Sequence, residues 1–153
     1  MAMFMPIGVV HNDINKMSTG HWAEAESQIE INPEFAPGLQ GLADFSHVVV
    51  VFHLDRIPPF DKDKQLLRQP RGMEHLPPVG VFAQRTKFRP NPIGVTPVQL
   101  VVIKGNVLTV RGLDAMDGTP VLDVKPYIPD FDGVQAANVK LADWVPDMLK
   151  GYF

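Results

Sequence analysis

The 153-residue chain contains no cysteine. That excludes a disulfide framework, a thiolate-ligated zinc or iron–sulfur centre and a thiol nucleophile. No apolar run reaches the roughly 18 residues that a transmembrane helix needs. The opening Met1-Ala2-Met3-Phe4-Met5-Pro6 lacks the basic stretch that begins a secretory signal, so the expected location is cytoplasmic. There is no Gly-x-Gly-x-x-Gly after any extended run, which removes support for a dinucleotide site. The five histidines show no His-x-x-x-His spacing, and Ser18, Ser27 and Ser46 lie outside any Gly-x-Ser-x-Gly elbow. No metal is expected. The length suits one domain over residues 1–153 that needs no staple to fold.

Prolines and glycines are plentiful, fifteen and twelve, and they divide the chain into short extended runs. Residues 6–11 read as a first strand, and residues 27–32 alternate with the period of a half-buried one. Residues 47–54, His-Val-Val-Val-Val-Phe-His-Leu, have the β-branched density of a central strand covered on both faces. Residues 79–83, 95–104, 107–113 and 120–127 read as further strands, with Val121 and Val124 inward and Gly105-Asn106 forming a tight hairpin. Short helical turns are expected near residues 33–45 and 62–67. A helical stripe over 139–149 (Leu141, Trp144, Val145, Leu149) is limited or kinked by Pro146. Six or seven short strands with few helices predict a mainly β fold, an antiparallel barrel or sandwich rather than alternating βαβ units.

The net charge of -3 conceals a strong asymmetry. From Lys64 to Arg111 there are eight basic residues and one acid, Glu74, a local charge of +7; the remainder carries -10. Such a block is suited to phosphate, although a plain solvated face has the same composition.

Two segments concentrate polar groups. In residues 80–94, Gly-Val-Phe-Ala-Gln-Arg-Thr-Lys-Phe-Arg-Pro-Asn-Pro-Ile-Gly, two prolines stiffen four successive positions, Arg89 to Pro92. Binding by such a loop loses little further freedom. Residues 113–120, Leu-Asp-Ala-Met-Asp-Gly-Thr-Pro, end in a turn signature, followed by Asp123 and Lys125-Pro126-Tyr127. Asp114, Asp117 and Asp123 lack calcium-loop spacing, and Lys125 shares a strand face with Asp123.

Taken in order with Pro6-Ile7-Gly8-Val9-Val10 and the strand from Phe45-Ser46-His47 to Phe52-His53, these segments resemble the TsaA-like, or TrmO, family of tRNA N6-adenine methyltransferases. The resemblance spans roughly residues 6–130. It implies a single antiparallel-rich β-barrel with a few short helices, a homodimer with its active site near the subunit interface, and S-adenosylmethionine as methyl donor. It also implies methylation at N6 of threonylcarbamoyl-adenosine beside the anticodon of tRNA. By motif position, cofactor contacts fall on His53, Leu54, Arg85, Val95, Asp117, Gly118, Thr119 and Pro120.

The chemistry of these residues suits that role. The Arg85 guanidinium matches the methionine carboxylate or a phosphate. Asp117 could accept from ribose hydroxyls or the ammonium, or serve catalytically as an orienting group or base toward the target amine. Lys87, Arg89 and Asn91 would face the tRNA. One departure stands out: the family's Pro-Arg-Gln-type loop after the first strand is replaced by residues 12–22, which hold neither proline nor arginine. That leaves two other readings: a methyltransferase of the same fold acting on a small molecule, and a non-catalytic RNA-binding module.

Overall fold

The alternation Gln28-Ile29-Glu30-Ile31 is the simplest statement of how this chain folds, since every second residue must leave water. In the computed structural model, which describes residues 3–16 and 20–153, six antiparallel strands close into a barrel: β1 (Gly8–His11), β2 (Glu26–Ile31), β3 (His47–His53), β6 (Ile93–Lys104), β7 (Val107–Arg111) and β8 (Pro120–Pro126). Their order around the barrel is β1-β2-β7-β6-β3-β8, with β8 returning to β1. A separate two-stranded flap pairs β4 (Leu67–Arg68) with β5 (Val79–Gly80). The helices are single turns: α1 (Lys62–Gln65), α2 (Pro129–Asp132) and α3 (Val145–Met148).

Inward-facing residues of all six strands form one core, including Val10, Ile29, Val48, Val50, Phe52, Val98, Leu108, Val110 and Val121. The central strand is covered on its outer side as well, where Val49 is also buried. Two irregularities keep the faces aligned. Across from β3, Val50 pairs with Val124 but Phe52 pairs with Val121, so β8 carries one extra residue. That insertion lets Val121 and Val124, three apart, both turn inward, as the sequence suggested. A second shift, between Leu100 and Val102, does the same for Leu100 and Ile103 on β6.

The hairpin at Gly105-Asn106 forms, with Gly105 at φ +60° where a side chain would be strained. Two expectations need correction. Residues 79–83 pair only over Val79–Gly80, and Val81–Ala83 form a 3-10 turn. The Gln84 side-chain amide donates to the carbonyls of Arg68 (2.9 Å) and Val79 (3.0 Å) at the point where the ladder ends. The helical stripe over 139–149 is helical only at Val145–Met148, preceded by a 3-10 turn at Ala136–Asn138. Pro146 sits in the first turn of α3, where its missing N–H costs nothing.

Gly94 lies opposite Phe52, whose ring occupies the space a Cβ would need. Phe52 is itself enclosed in the core and cannot give way. Gly94→Ala is expected to cost about 1–3 kcal/mol through overpacking, read as a lowered Tm. An unchanged Tm would show that the ring is free to move.

Candidate active site

Antiparallel closure brings alternate strand ends to one rim. The ends of β1, β3 and β7 and the starts of β2, β6 and β8 lie together, so residues 12–16, 20–25, 54–92 and 112–119 belong to the loops of that rim. His53, Leu54 and Asp117 to Pro120 belong to this rim, together with residues 80–94. Leu54 is tied to the stiff corner through its N–H, which donates to the Pro92 carbonyl (2.8 Å).

The acidic bend is clamped onto the end of β1. The Gly118 N–H donates to Val10 O (2.7 Å), the Asp117 N–H to Ile14 O (2.9 Å), and the Val10 N–H to Thr119 O (3.0 Å). Gly118 holds φ +82°, and its open side is covered by the Arg56 guanidinium, which donates to the Asp117 carbonyl. The Asp117 carboxylate accepts the Asn12 N–H through Oδ1 (3.0 Å). Asn12 also donates Nδ2 to Ser27 Oγ and to Ala115 O, both at 2.9 Å, and accepts the Ile14 N–H. Asn12 therefore organises the start of the altered loop; residues 17–19 lie outside the described residues.

Beside this bend is an open cleft of about 330 Å³ lined by His11, Asn12, Asp13, Glu26, Ser27, Gln28 and Asp117. Three carboxylates on its walls suit a cationic guest such as a sulfonium or an ammonium group. The Arg85 guanidinium, on the corner of the same rim, suits a carboxylate. Arg85 is exposed and donates to the Val95 carbonyl at 2.6 Å. On the inner face of β6, Thr96 donates to Asp114 Oδ1 (2.5 Å), whose other oxygen accepts from the Tyr152 hydroxyl (3.4 Å). Burial and the neighbouring Asp114 carboxylate push the Tyr152 phenol up from its ordinary value, while Arg85 and Arg71 oppose them.

All the residues singled out as cofactor contacts thus lie on or beside one rim. Of those assigned to RNA, Asn91 is exposed and Lys87 half-buried. Arg89 turns back on its own loop, with Nη1 donating to Gln84 O (2.7 Å), Val81 O (3.3 Å) and Thr86 O (3.3 Å). The three aspartates do not converge: Asp123 pairs with Lys125 at 2.7 Å, and Asp114 and Asp117 face the partners above. Arg56, Asn12, Thr96 and Tyr152 join the site without having been anticipated. No local pattern distinguishes them, because each acts through a partner 15 or more residues away.

The fold and the rim define the class: a closed six-stranded antiparallel β-barrel with a polar, loop-built site at one end. The chain belongs to the tRNA-methyltransferase O family, whose N-terminal-domain model matches residues 13–133. It is 40% identical over 137 residues to a "Probable S-adenosyl-L-methionine-binding protein" of Pyrococcus abyssi, covering 86% of this chain and 71% of that one. It is also 40% identical over 110 residues to the "tRNA (adenine(37)-N6)-methyltransferase" of Mus musculus, covering 71% of this chain but only 24% of the mouse protein. The crystal structure of TrmO from Pseudomonas aeruginosa superposes with a TM-score of 0.73 at 29% identity, over 94% of this chain and 61% of that one.

The tail leaves β8 at the far end of the barrel yet returns to the rim. Arg71 donates to the carbonyls of Met148 (2.7 Å) and Lys150 (3.1 Å), the His21 N–H donates to Tyr152 O (2.9 Å), and His75 meets Asp147 at 2.6 Å. Hydrogen bonds from Lys150 and then His75 hold the Asp147 carboxyl below the usual carboxylate range. A carboxyl depressed in the folded state contributes stability above its unfolded pKa of about 3.9 and loses it as pH falls through the folded value. The His21 and Tyr152 amide resonances are therefore expected to shift together as pH drops below about 4, ahead of the β3 amides. In Asp147→Asn that step should be absent. Its persistence would place the latch elsewhere.

Proposed function

We propose that this protein transfers a methyl group from S-adenosylmethionine to N6 of the adenosine beside the anticodon of tRNA, in its threonylcarbamoyl form. Membership of the family supports the reaction class. The observation that carries the residue assignment is the gathering of the corner 80–94 and the bend 117–120, with the Arg85 guanidinium and the Asp117 carboxylate, at one barrel rim. The chain covers a small part of the mammalian relatives named for this tRNA reaction, 24% in each, so the acceptor is inferred from the domain alone.

When bound, S-adenosylmethionine supplies an electrophilic methyl group on a sulfonium. The protein has to place an amine in line with it and keep water out. Arg85 would take the methionine carboxylate, and His53, Leu54 and Val95 would border the donor. The turn at Gly118, Thr119 and Pro120 lets backbone approach closely. Asp117 keeps Oδ2 clear of described partners, placed to accept the ammonium or to orient the N6 amine and receive its proton. Lys87 and Asn91 would meet RNA on the outer side, and Arg89 holds their loop in shape. A second copy would complete the site in a homodimer.

The replaced loop 12–22 favours a second reading, transfer to a small molecule by the same site. Incubation with labelled S-adenosylmethionine and total tRNA, then nucleoside mass spectrometry, separates the two. N6-methylated threonylcarbamoyl-adenosine is expected, and label confined to small molecules would support the alternative.

Arg85→Ala and Asp117→Ala should each weaken calorimetric binding of S-adenosylmethionine by about tenfold or more, the worth of one charge-assisted hydrogen bond. Melting curves on the same samples check that the barrel is intact. Unchanged affinity in a folded variant would remove that residue from the site.

A further inference from the structure

The flap and the corner that follows it carry a feature the proposed donor site does not use. Phe82 is 76% exposed although its neighbour Val81 is buried, and Leu67, opposite Gly80 on the flap, is 69% exposed. In the same module Phe88 is flanked by two cations. The Arg68 guanidinium carbon lies 4.4 Å from the ring centroid and the Lys87 ammonium 5.2 Å from it.

Two like charges against one ring repel each other. Arg68 has no ion pair with a carboxylate among the described residues, and Glu74 is the only acid between Lys64 and Arg111. Burial and then the charge of Arg68 hold the Lys87 ammonium below its ordinary pKa. An anion placed between them would relieve that repulsion.

The module is also rigid. Gln84 binds both flap strands through its amide, and Arg89 holds three carbonyls of residues 81–86. Little freedom remains to be lost when a ligand arrives.

We propose that Phe82, Phe88, Arg68 and Lys87 form a contact for unpaired RNA. Phe82 stacks on a base near the acceptor adenosine, and the two cations on Phe88 hold the adjoining backbone phosphate. Aromatic rings interleaved with cations on a fixed loop are what single-stranded nucleic acid requires, since every base has a face to stack and every linkage a charge. The other candidate occupant is a second copy of this chain. A two-fold contact centred on this patch would bring Arg68 and Lys87 toward their own copies. The charge favours RNA. This inference rests on the tRNA reading above.

The test uses a fluorescein-labelled tRNA anticodon stem-loop, with binding followed by anisotropy across a salt series. Phe82→Ala is expected to bind about 10- to 100-fold more weakly, and Phe82→Trp to bind as well as the unsubstituted protein. Arg68→Ala should lower the slope of log affinity against log salt by about one. Calorimetric affinity for S-adenosylmethionine should be unchanged in Arg68→Ala, and the sedimentation coefficient in all three. Unaltered RNA binding by Phe82→Ala overturns this contact and leaves the tRNA reading standing. A changed sedimentation coefficient assigns the patch to self-association and overturns it as well. Absence of stem-loop binding by the unsubstituted protein overturns both readings together.

Discussion

The seam between β1 and β8 is the constraint on which the rest depends. It is short, pairing Gly8 with Val121 and Val9 with Pro120. Bonds from Ile7, Val10 and Gly118 extend it at both ends. Without it the sheet has two open edges, and the acidic bend after β7 has no fixed relation to the first strand. With it, backbone bonds to residues 10 and 14 hold Asp117 in place, its Oδ1 taken by the Asn12 N–H and its Oδ2 clear of described partners. Barrel closure and construction of the site are thus one event. On its other side Gly8 lets β1 lie close against β2, because a Cβ there would run into the backbone of Glu30.

The rim divides its electrostatics. Carboxylates line the cleft beside β1 and β2, while cations cluster on the flap and corner between β3 and β6. A zwitterionic donor with an additional sulfonium charge can be oriented by such a pair of walls, its cationic groups toward Asp117 and its carboxylate toward Arg85. An anionic acceptor would meet the same cationic loops. The chain's small net charge conceals this, because opposite excesses on different loops nearly cancel.

Much of this was legible in the sequence for physical reasons. Alternation in β2 and β-branched density in β3 report burial directly, so strands and their inward faces could be assigned, including both Val121 and Val124. The stiffness of Arg89 to Pro92 and the bend at Gly118 follow from proline and glycine geometry at single positions. What escaped depends on long-range partners. Asn12 meets Asp117 across 105 positions and Tyr152 meets Asp114 across 38, and no local pattern encodes either meeting. The return of the tail to the rim is of the same kind. Residues 79–83 have real β-propensity, but Gln84 and Arg89 recruit the local carbonyls and curl the chain after two paired residues.

On the proposed function, the corner and the acidic bend serve one ligand at one rim. Titrating the protein with S-adenosylmethionine while following backbone amide resonances tests it most directly. Saturable shifts should appear in residues 80–95 and 117–120 together, with a single shared dissociation constant. Shifts confined to the opposite end of the barrel, around the apolar pocket formed by Phe35, Leu39, Leu42 and Phe45, would contradict it.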